Sequence, residues 1–299
     1  MRIRPFEYYA AVNLEDALEQ LSEYGPDTRI LAGGTDLVLG MKRKIDLPRR
    51  VVGLNKVNEL DYISEGEATL RIGSLVTHSE VAKNKLLNET VPLLCDAVSL
   101  IGSWQIRNIA TIGGNLCNAS PAADSAGPLL ALNARVVVAD RRKETEIPLN
   151  SFFTGPGKNR LAPGELLKEI IIEKPRFPSA GCYLKLMRKK AVDLSLVGVA
   201  FLAEADPSEG RLTSVSIGLG GVAPTPMRAL EAESMLSGLA YEKALQALPN
   251  AARTAVKAAS PISDIRASAE YRRAIIDVYV RRAGEKVIRS LMSGKGGEK

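Results

Sequence analysis

Long apolar runs, histidine and aromatic side chains are all scarce in this chain of 299 residues. The longest apolar stretches, Pro128 to Ala139 and Leu194 to Ala205, are interrupted by Asn133, Arg135, Ser195, Gly198 and Glu204. Both fall short of the roughly 18 apolar residues a membrane helix needs. The opening MRIRPFEYYAAV has no continuous apolar core and no clear cleavage site, so no secretory signal is expected and a cytoplasmic protein is. The single histidine, His78, excludes HExxH zinc sites and multi-histidine clusters, and without a GxSxG it leaves no Ser-His-Asp hydrolase. It lies in THSE, where Thr77 and Glu80 have capping-box spacing, and is expected to be a surface residue at a helix start.

Cysteine is sparse too. Cys95, Cys117 and Cys182 lie far apart with no CxxC, which excludes a disulfide framework or a self-contained zinc or iron–sulfur site and leaves free, buried thiols. Neither sign of charge dominates, with 40 Lys and Arg against 34 Asp and Glu and a net charge of +6. The basic residues form short clusters, Lys42 to Lys44, Arg49 and Arg50, Arg141 to Lys143, and Arg188 to Lys190, which solvated faces explain. With aromatics at 5%, they lack the interleaved stacking residues of a nucleic-acid surface, so no nucleic-acid partner is expected.

What is present is an ordinary globular composition, 45% hydrophobic and 25% charged, long enough for about two domains or one divided domain. Asn13 can cap a helix with apolar Leu14, Ala17, Leu18 and Leu21, ending at Gly25-Pro26. Strand TRILA, helix LVLGMK and strand VVGLN complete a small alternating unit. After Asn58 come strand TLRIGS, a helix from His78, an apolar helix over Val91 to Gly102, helix AGPLLALNA and the β-branched strand RVVVAD. Gly- and Pro-rich Ser151 to Pro163 reads as a loop, and GELLKEIIIEKP as a closing strand. From about Ala180 the strands come in series, CYLKLMR, LSLVGVAFLAEA and LTSVSIGLGGV, followed by two or three helices. The last helix turns Ile275, Ile276, Tyr279, Val280 and Val287 inward, and SGKGGEK reads as a disordered end.

Two glycine pairs, Gly33-Gly34 and Gly113-Gly114, each follow a short apolar run and precede small polar residues. Removing two Cβ atoms permits positive φ, so successive N–H groups can turn toward a phosphate. A structural turn explains either pair alone, while the two together point to a diphosphate held between loops. The first loop contains no GxGxxG and the chain has no Walker GxxxxGK[ST], which disfavours a Rossmann site or P-loop. Thr35, Thr111, Asn115 and Asn118 can donate hydrogen bonds nearby, and an ionised Asp124 would suit a ribose hydroxyl.

LAGGTDL at Leu31 to Leu37 and IRNIATIGGNLCNASPAAD at Ile106 to Asp124 resemble the FAD-binding medium subunit of the molybdenum hydroxylases, the family of carbon monoxide dehydrogenase flavoprotein and the xanthine dehydrogenase flavin domain. The resemblance extends over the chain in length and order and weakens after about Ala180. It implies an α+β fold: a vanillyl-alcohol-oxidase-type (PCMH) FAD-binding region of two α/β subdomains, residues 1–57 and 58–178, then an α+β domain over 179–292 and a tail over 293–299. It implies that Leu31, Ala32, Gly33, Gly34, Thr35 and Asp36, with Thr111, Ile112, Gly113, Gly114 and Asn115, wrap the FAD diphosphate and ribityl chain. By the same resemblance Asp124 contacts the adenosine part, Ile101 and Gly102 line the flavin, and Leu167 and Lys185 are further contacts.

The implied function is electron transfer. A large partner subunit would carry the molybdenum cofactor and a small one the [2Fe-2S] clusters, in a dimer of heterotrimers, while FAD on this chain passes electrons to NAD, oxygen or a quinone. Protein position and electrostatics then serve the cofactor's chemistry, and no catalytic residue or metal ligand is expected on the chain itself. The three scattered cysteines leave no cluster-bearing insertion, and His78 lies in neither glycine loop, so FAD is expected to be noncovalent. Arg188 and Asp193 could gate the flavin or form a solvated turn. A stand-alone flavoprotein oxidoreductase of the same fold, or an interaction protein that has lost the cofactor, remain as alternatives.

Overall fold

The computed structural model describes residues 3–189 and 192–294. Most of the tail expected over 293–299, and Lys190 of the Arg188 to Lys190 cluster, lie outside the described residues. The first unit is strand β1 (Glu7–Ala10), helix α1 (Leu14–Tyr24), β2 (Thr28–Leu31), α2 (Leu37–Lys42) and β3 (Arg50–Gly53), with the parallel order β1-β3-β2. Asn13 caps α1 by accepting from the Asp16 N–H, and Gly25 ends it at φ +61°. Leu18 and Leu21 of α1 pack on Val52 and Leu54, and the same core takes in Leu60, Ala139 and Leu166. The first and second units therefore share buried surface.

The second unit opens with β4 (Ile63–Glu65) and β5 (Thr69–Gly73). A block of short helices follows: α3 (His78–Lys83), α4 (Lys85–Thr90), α5 (Pro92–Ser99), α6 (Trp104–Arg107), α7 (Ile112–Cys117) and α8 (Ala126–Ala131). Strands β6 (Arg135–Ala139), β7 (Glu144–Pro148), β8 (Phe153–Gly155), β9 (Lys158–Asn159) and β10 (Leu166–Glu173) complete the unit. The main sheet is antiparallel, in the order β4-β5-β10-β6-β7. Central β10 is an almost unbroken apolar run because it is buried on both faces; Ile170 sits opposite Ile72 on one side and Val136 on the other. Its one interior carboxylate, Glu169, accepts from Arg71 and Tyr62. The helices form one block between β5 and β6 rather than alternating with strands, and Ser151 to Pro163, read as a loop, includes the short β8–β9 hairpin.

The third unit is a four-stranded antiparallel sheet of β11 (Ser179–Leu186), β12 (Val197–Asp206), β13 (Arg211–Gly220) and β14 (Met227–Arg228), followed by α9 (Leu230–Ser234), α10 (Tyr241–Ala258) and α11 (Ala269–Met292). Alternation along β12 gives it two buried faces. Phe201 meets α11, where Gly284 has no room for a Cβ, and Ala200 meets α8 of the second unit. At that junction Gly127 and Gly218 are nearly in backbone contact: a Cβ on Gly218 would lie 2.0 Å from the Gly127 carbonyl oxygen. Gly218→Val is expected to cost about 3 kcal/mol through overpacking and to lower the urea midpoint, since both sides of the clash are backbone. An unchanged midpoint would mean that α8 can withdraw from the sheet.

Candidate flavin site

The turn between β2 and α2 carries the first glycine pair. Gly34 takes φ +72°, which favours glycine, and the Val38 N–H donates back to its carbonyl at 3.1 Å. Gly33 lies flat against the Ile109–Ala110 turn, where a Cβ would sit 1.9 Å from the Ile109 carbonyl oxygen. Among the described residues, the amides of Gly33, Gly34, Thr35 and Asp36 donate to no protein acceptor. Four consecutive free N–H groups on a turn with a left-handed residue are what an anion-binding loop requires. Leu31 and Ala32 lead into this turn half-buried, and the Thr35 hydroxyl lies 3.4 Å from the Asp36 carboxylate.

The second glycine pair is built differently from the expectation. Gly113 and Gly114 lie in the first turn of α7 rather than in a loop after a strand, and neither has positive φ. The amides here are already used: Ile112 donates to Val76, Gly113 to Ser74, Gly114 to the Thr111 hydroxyl and Asn115 to the Thr111 carbonyl. Gly113 is required for packing, because its Cβ would lie 2.5 Å from that of Ser74. What α7 can still offer a ligand are side-chain donors. Thr111 Oγ1 accepts the cap bond and keeps its own proton, and Asn115 Oδ1 accepts from Ser125, leaving the Nδ2 donors.

Between α5 and α6 the chain turns at Gly102, φ +49°, and the buried Arg107 holds that turn by donating to the Ile101 carbonyl at 2.7 Å and the Gly102 carbonyl at 3.4 Å. Trp104 lies between Lys83 and Arg107 as a cation–π partner of both. Strand β11 points Tyr183 and Lys185, two residues apart and so on one face, at Asp124. Tyr183 donates to Asp124 Oδ1 at 2.7 Å, and Lys185 Nζ lies 2.7 Å from Oδ2 and donates to the Leu100 carbonyl at 2.9 Å. Asp124, expected as an open acceptor, is thus buried and paired, its side chain 8% exposed and that of Lys185 1%. Burial pushes the Asp124 carboxyl up, and Lys185 and Tyr183 oppose that shift.

These elements bring the Gly33–Asp36 turn, the Ile109–Asn115 segment, Ile101–Gly102, Asp124 and Lys185 into one connected region. Leu167 is placed in the core on β10, opposite Val138, as is the side chain of Ile112. Sequence reasoning misses Tyr183, Arg107 and Ser125. The alternation of β11 could have found Tyr183, but nothing local marks Arg107 or Ser125 as supports. Asp193 accepts from the Arg188 and Lys189 amides, which ties these residues to one another.

His78 corrects the expectation of a surface residue. The capping box of Thr77 and Glu80 is present and α3 starts there, but His78 is fully buried, and among the described residues neither ring nitrogen has a hydrogen-bond partner. The His78 backbone N–H donates to the Ala110 carbonyl, so the helix start is packed under the segment that leads into α7. Burial, with Arg107 nearby, lowers its pKa to about 4.

The donor set fits a dinucleotide with a diphosphate: free amides at Gly33 to Asp36, hydroxyl and amide donors on α7, and exposed apolar side chains of Ile109 and Leu100 beside them. Comparison with known proteins agrees. Residues 4–175 match the FAD binding domain in molybdopterin dehydrogenase, and residues 182–287 the CO dehydrogenase flavoprotein C-terminal domain. The chain is 32% identical over 293 residues to a xanthine dehydrogenase FAD-binding subunit of Escherichia coli O157:H7, covering 97% of each. It is 30% identical to the carbon monoxide dehydrogenase medium chain of Hydrogenophaga pseudoflava, covering 93% of this chain and 95% of the relative. The solved structure of Cu,Mo-CO dehydrogenase in its cyanide-inactivated form superposes with a TM-score of 0.91 at 31% identity, covering 97% of this chain and 99% of that one.

Two outcomes follow from the buried charges. Because the folded pKa of His78 lies below its ordinary value of 6.5, the unfolded chain takes up a proton first as pH falls. Stability should therefore drop by about 2 kcal/mol through this residue between about pH 7 and about pH 5. Urea unfolding of wild type and His78→Leu at both values checks it; equal pH slopes would contradict it. Lys185→Met should cost about 3 kcal/mol by leaving Asp124 buried without its cation. Lys185→Met with Asp124→Asn should recover part of that loss in the same assay.

Proposed function

The chain belongs to the family of FAD-binding domains in molybdopterin dehydrogenases, and from that membership we propose how it handles the flavin and its electrons. It is the FAD-binding, medium subunit of a dehydrogenase of the molybdenum-hydroxylase type, and so part of an oxidoreductase. In our reading FAD is held noncovalently. Leu31, Ala32, Gly33, Gly34, Thr35 and Asp36 wrap the diphosphate, with Gly33 to Asp36 supplying the amides. Thr111, Ile112, Gly113, Gly114 and Asn115 support the ribityl side. Ile101 and Gly102 line the ring, and Asp124, Lys185 and Leu167 complete the set. The observation that carries this reading is the run of unpartnered amides at Gly33 to Asp36. The burial of His78, the one histidine, supports a noncovalent linkage.

Bound FAD would supply the redox chemistry, taking electrons from [2Fe-2S] clusters of a small partner subunit and giving them to NAD, oxygen or a quinone. The molybdenum cofactor would stay on a large partner subunit, where the substrate is chosen, in a cytoplasmic dimer of heterotrimers. This chain's own contribution is to bind, orient and fix charge. The buried titratable groups of the site, Asp124, Lys185 and Tyr183, are committed to one another, which supports electron transfer over a stand-alone enzyme with its own acid and base.

Gly34→Val tests the site. A branched residue at φ +72° would strain the turn, and its side chain would crowd Leu31 and Val38. The variant should fold but leave gel filtration without FAD, whereas wild type carries it. Retention of stoichiometric FAD by the variant would show that the turn does not hold the cofactor.

A further inference from the structure

The connection between α10 and α11 buries Ala259 and Pro261 at its start but exposes Ile262 to 69% and Ile265 almost completely, so apolar burial does not hold its second half in place. Asp264 does. Its Oδ1 accepts from the amides of Arg266 and Ala267 and from Arg272, at 2.9, 3.2 and 3.0 Å, and its Oδ2 from the Arg266 guanidinium at 2.6 and 2.9 Å. The Arg266 side chain beside Asp264 holds its carboxyl well below the usual carboxylate range. Arg272, in the first turn of α11 and 2% exposed, points the other way, donating to the carbonyls of Leu196 at 2.5 Å and Gly221 at 3.2 Å.

Each acceptor is tied to one half of the buried pair described above. The Leu196 N–H donates at 2.9 Å to the Leu186 carbonyl, one residue beyond Lys185. The Gly221 N–H donates at 2.7 Å to the carbonyl of Pro121, on the turn that leads to Asp124. Gly221 has φ +73°, and a Cβ there would lie 2.8 Å from the Leu196 carbonyl oxygen, so the two acceptors are packed together under one guanidinium. A planar, permanently charged fork can bridge two carbonyls in this way, which a lysine ammonium can only partly imitate.

We infer that Arg272, oriented by Asp264, is a positioning residue for flavin binding: it sets where Lys185 and Asp124 stand relative to each other without touching the cofactor. This rests on the FAD reading above. The test uses the full chain as wild type, Arg272→Lys, Arg272→Met and Asp264→Asn. For each, an FAD titration followed by flavin fluorescence, the visible circular dichroism of the saturated protein, and urea unfolding without FAD are recorded. Arg272→Met should weaken FAD binding about tenfold, Arg272→Lys less, and both should alter the visible dichroism at saturation. Asp264→Asn should shift both readouts in the same direction while changing only a surface-loop carboxylate, and it decides the matter if Arg272→Met does not fold. A purely structural role would lower the urea midpoint and leave the affinity and dichroism of the saturated protein untouched. That result for Arg272→Lys and Asp264→Asn overturns the inference. Failure of wild type to bind FAD is seen before any variant is compared, and removes the FAD reading itself.

Discussion

An ammonium and a carboxylate, Lys185 and Asp124, have both left water where the third unit meets the second, and the surrounding structure makes that burial tolerable. A buried ion pair is stable only when its remaining hydrogen-bonding capacity is also used. Tyr183 supplies one further donor to Asp124, and the Leu100 carbonyl takes another proton of Lys185. These contacts join β11, the α5–α6 turn and the segment before α8. The near-contact of Gly127 with Gly218 brings the same two units together on the face beyond. The third unit thus acts as the wall that closes the second unit's helical block, with the charged pair on edge strand β11 and bare backbone on interior strand β13.

The two glycine motifs divide the work on the other side. Gly33-Gly34 leaves amides free, whereas Gly113-Gly114 has its amides bonded and uses the missing Cβ of Gly113 to bring α7 against Ser74. The first suits an anion, and the second allows Thr111 and Asn115 to stand close to it. The two are in direct contact through Gly33 and the Ile109 carbonyl, so the spacing between the loops is set by backbone rather than by flexible side chains. A helix start with fully satisfied amides adds little as a free anion site, which places the electrostatic weight on the β2–α2 turn.

Much of this architecture is legible in the amino-acid sequence. Asn13 as a cap, the periodic apolar residues of α1 and the β-branched run of β6 are local signals, and the elements appear where those signals lie. So is the Thr77–Glu80 capping box. What local pattern cannot carry is the side from which other elements arrive. His78 reads as a surface residue because its neighbours in sequence are polar, yet the Arg107–Ala110 segment comes over it from about thirty residues away. Asp124 reads as an open acceptor because its partners lie on β11, some sixty residues later. Gly113-Gly114 looks like a loop because glycine marks turns, and only the Thr111 cap shows that it opens a helix.

The most direct measurement is acid denaturation of the purified chain, with chromatographic identification of any released flavin and a visible spectrum taken before and after. Noncovalent cofactor held by the Gly33–Asp36 turn predicts an oxidised-flavin spectrum and equimolar FAD in the supernatant, with none left on the precipitated protein. A colourless chain that stays colourless after incubation with FAD, or flavin that remains on the precipitate, would contradict it.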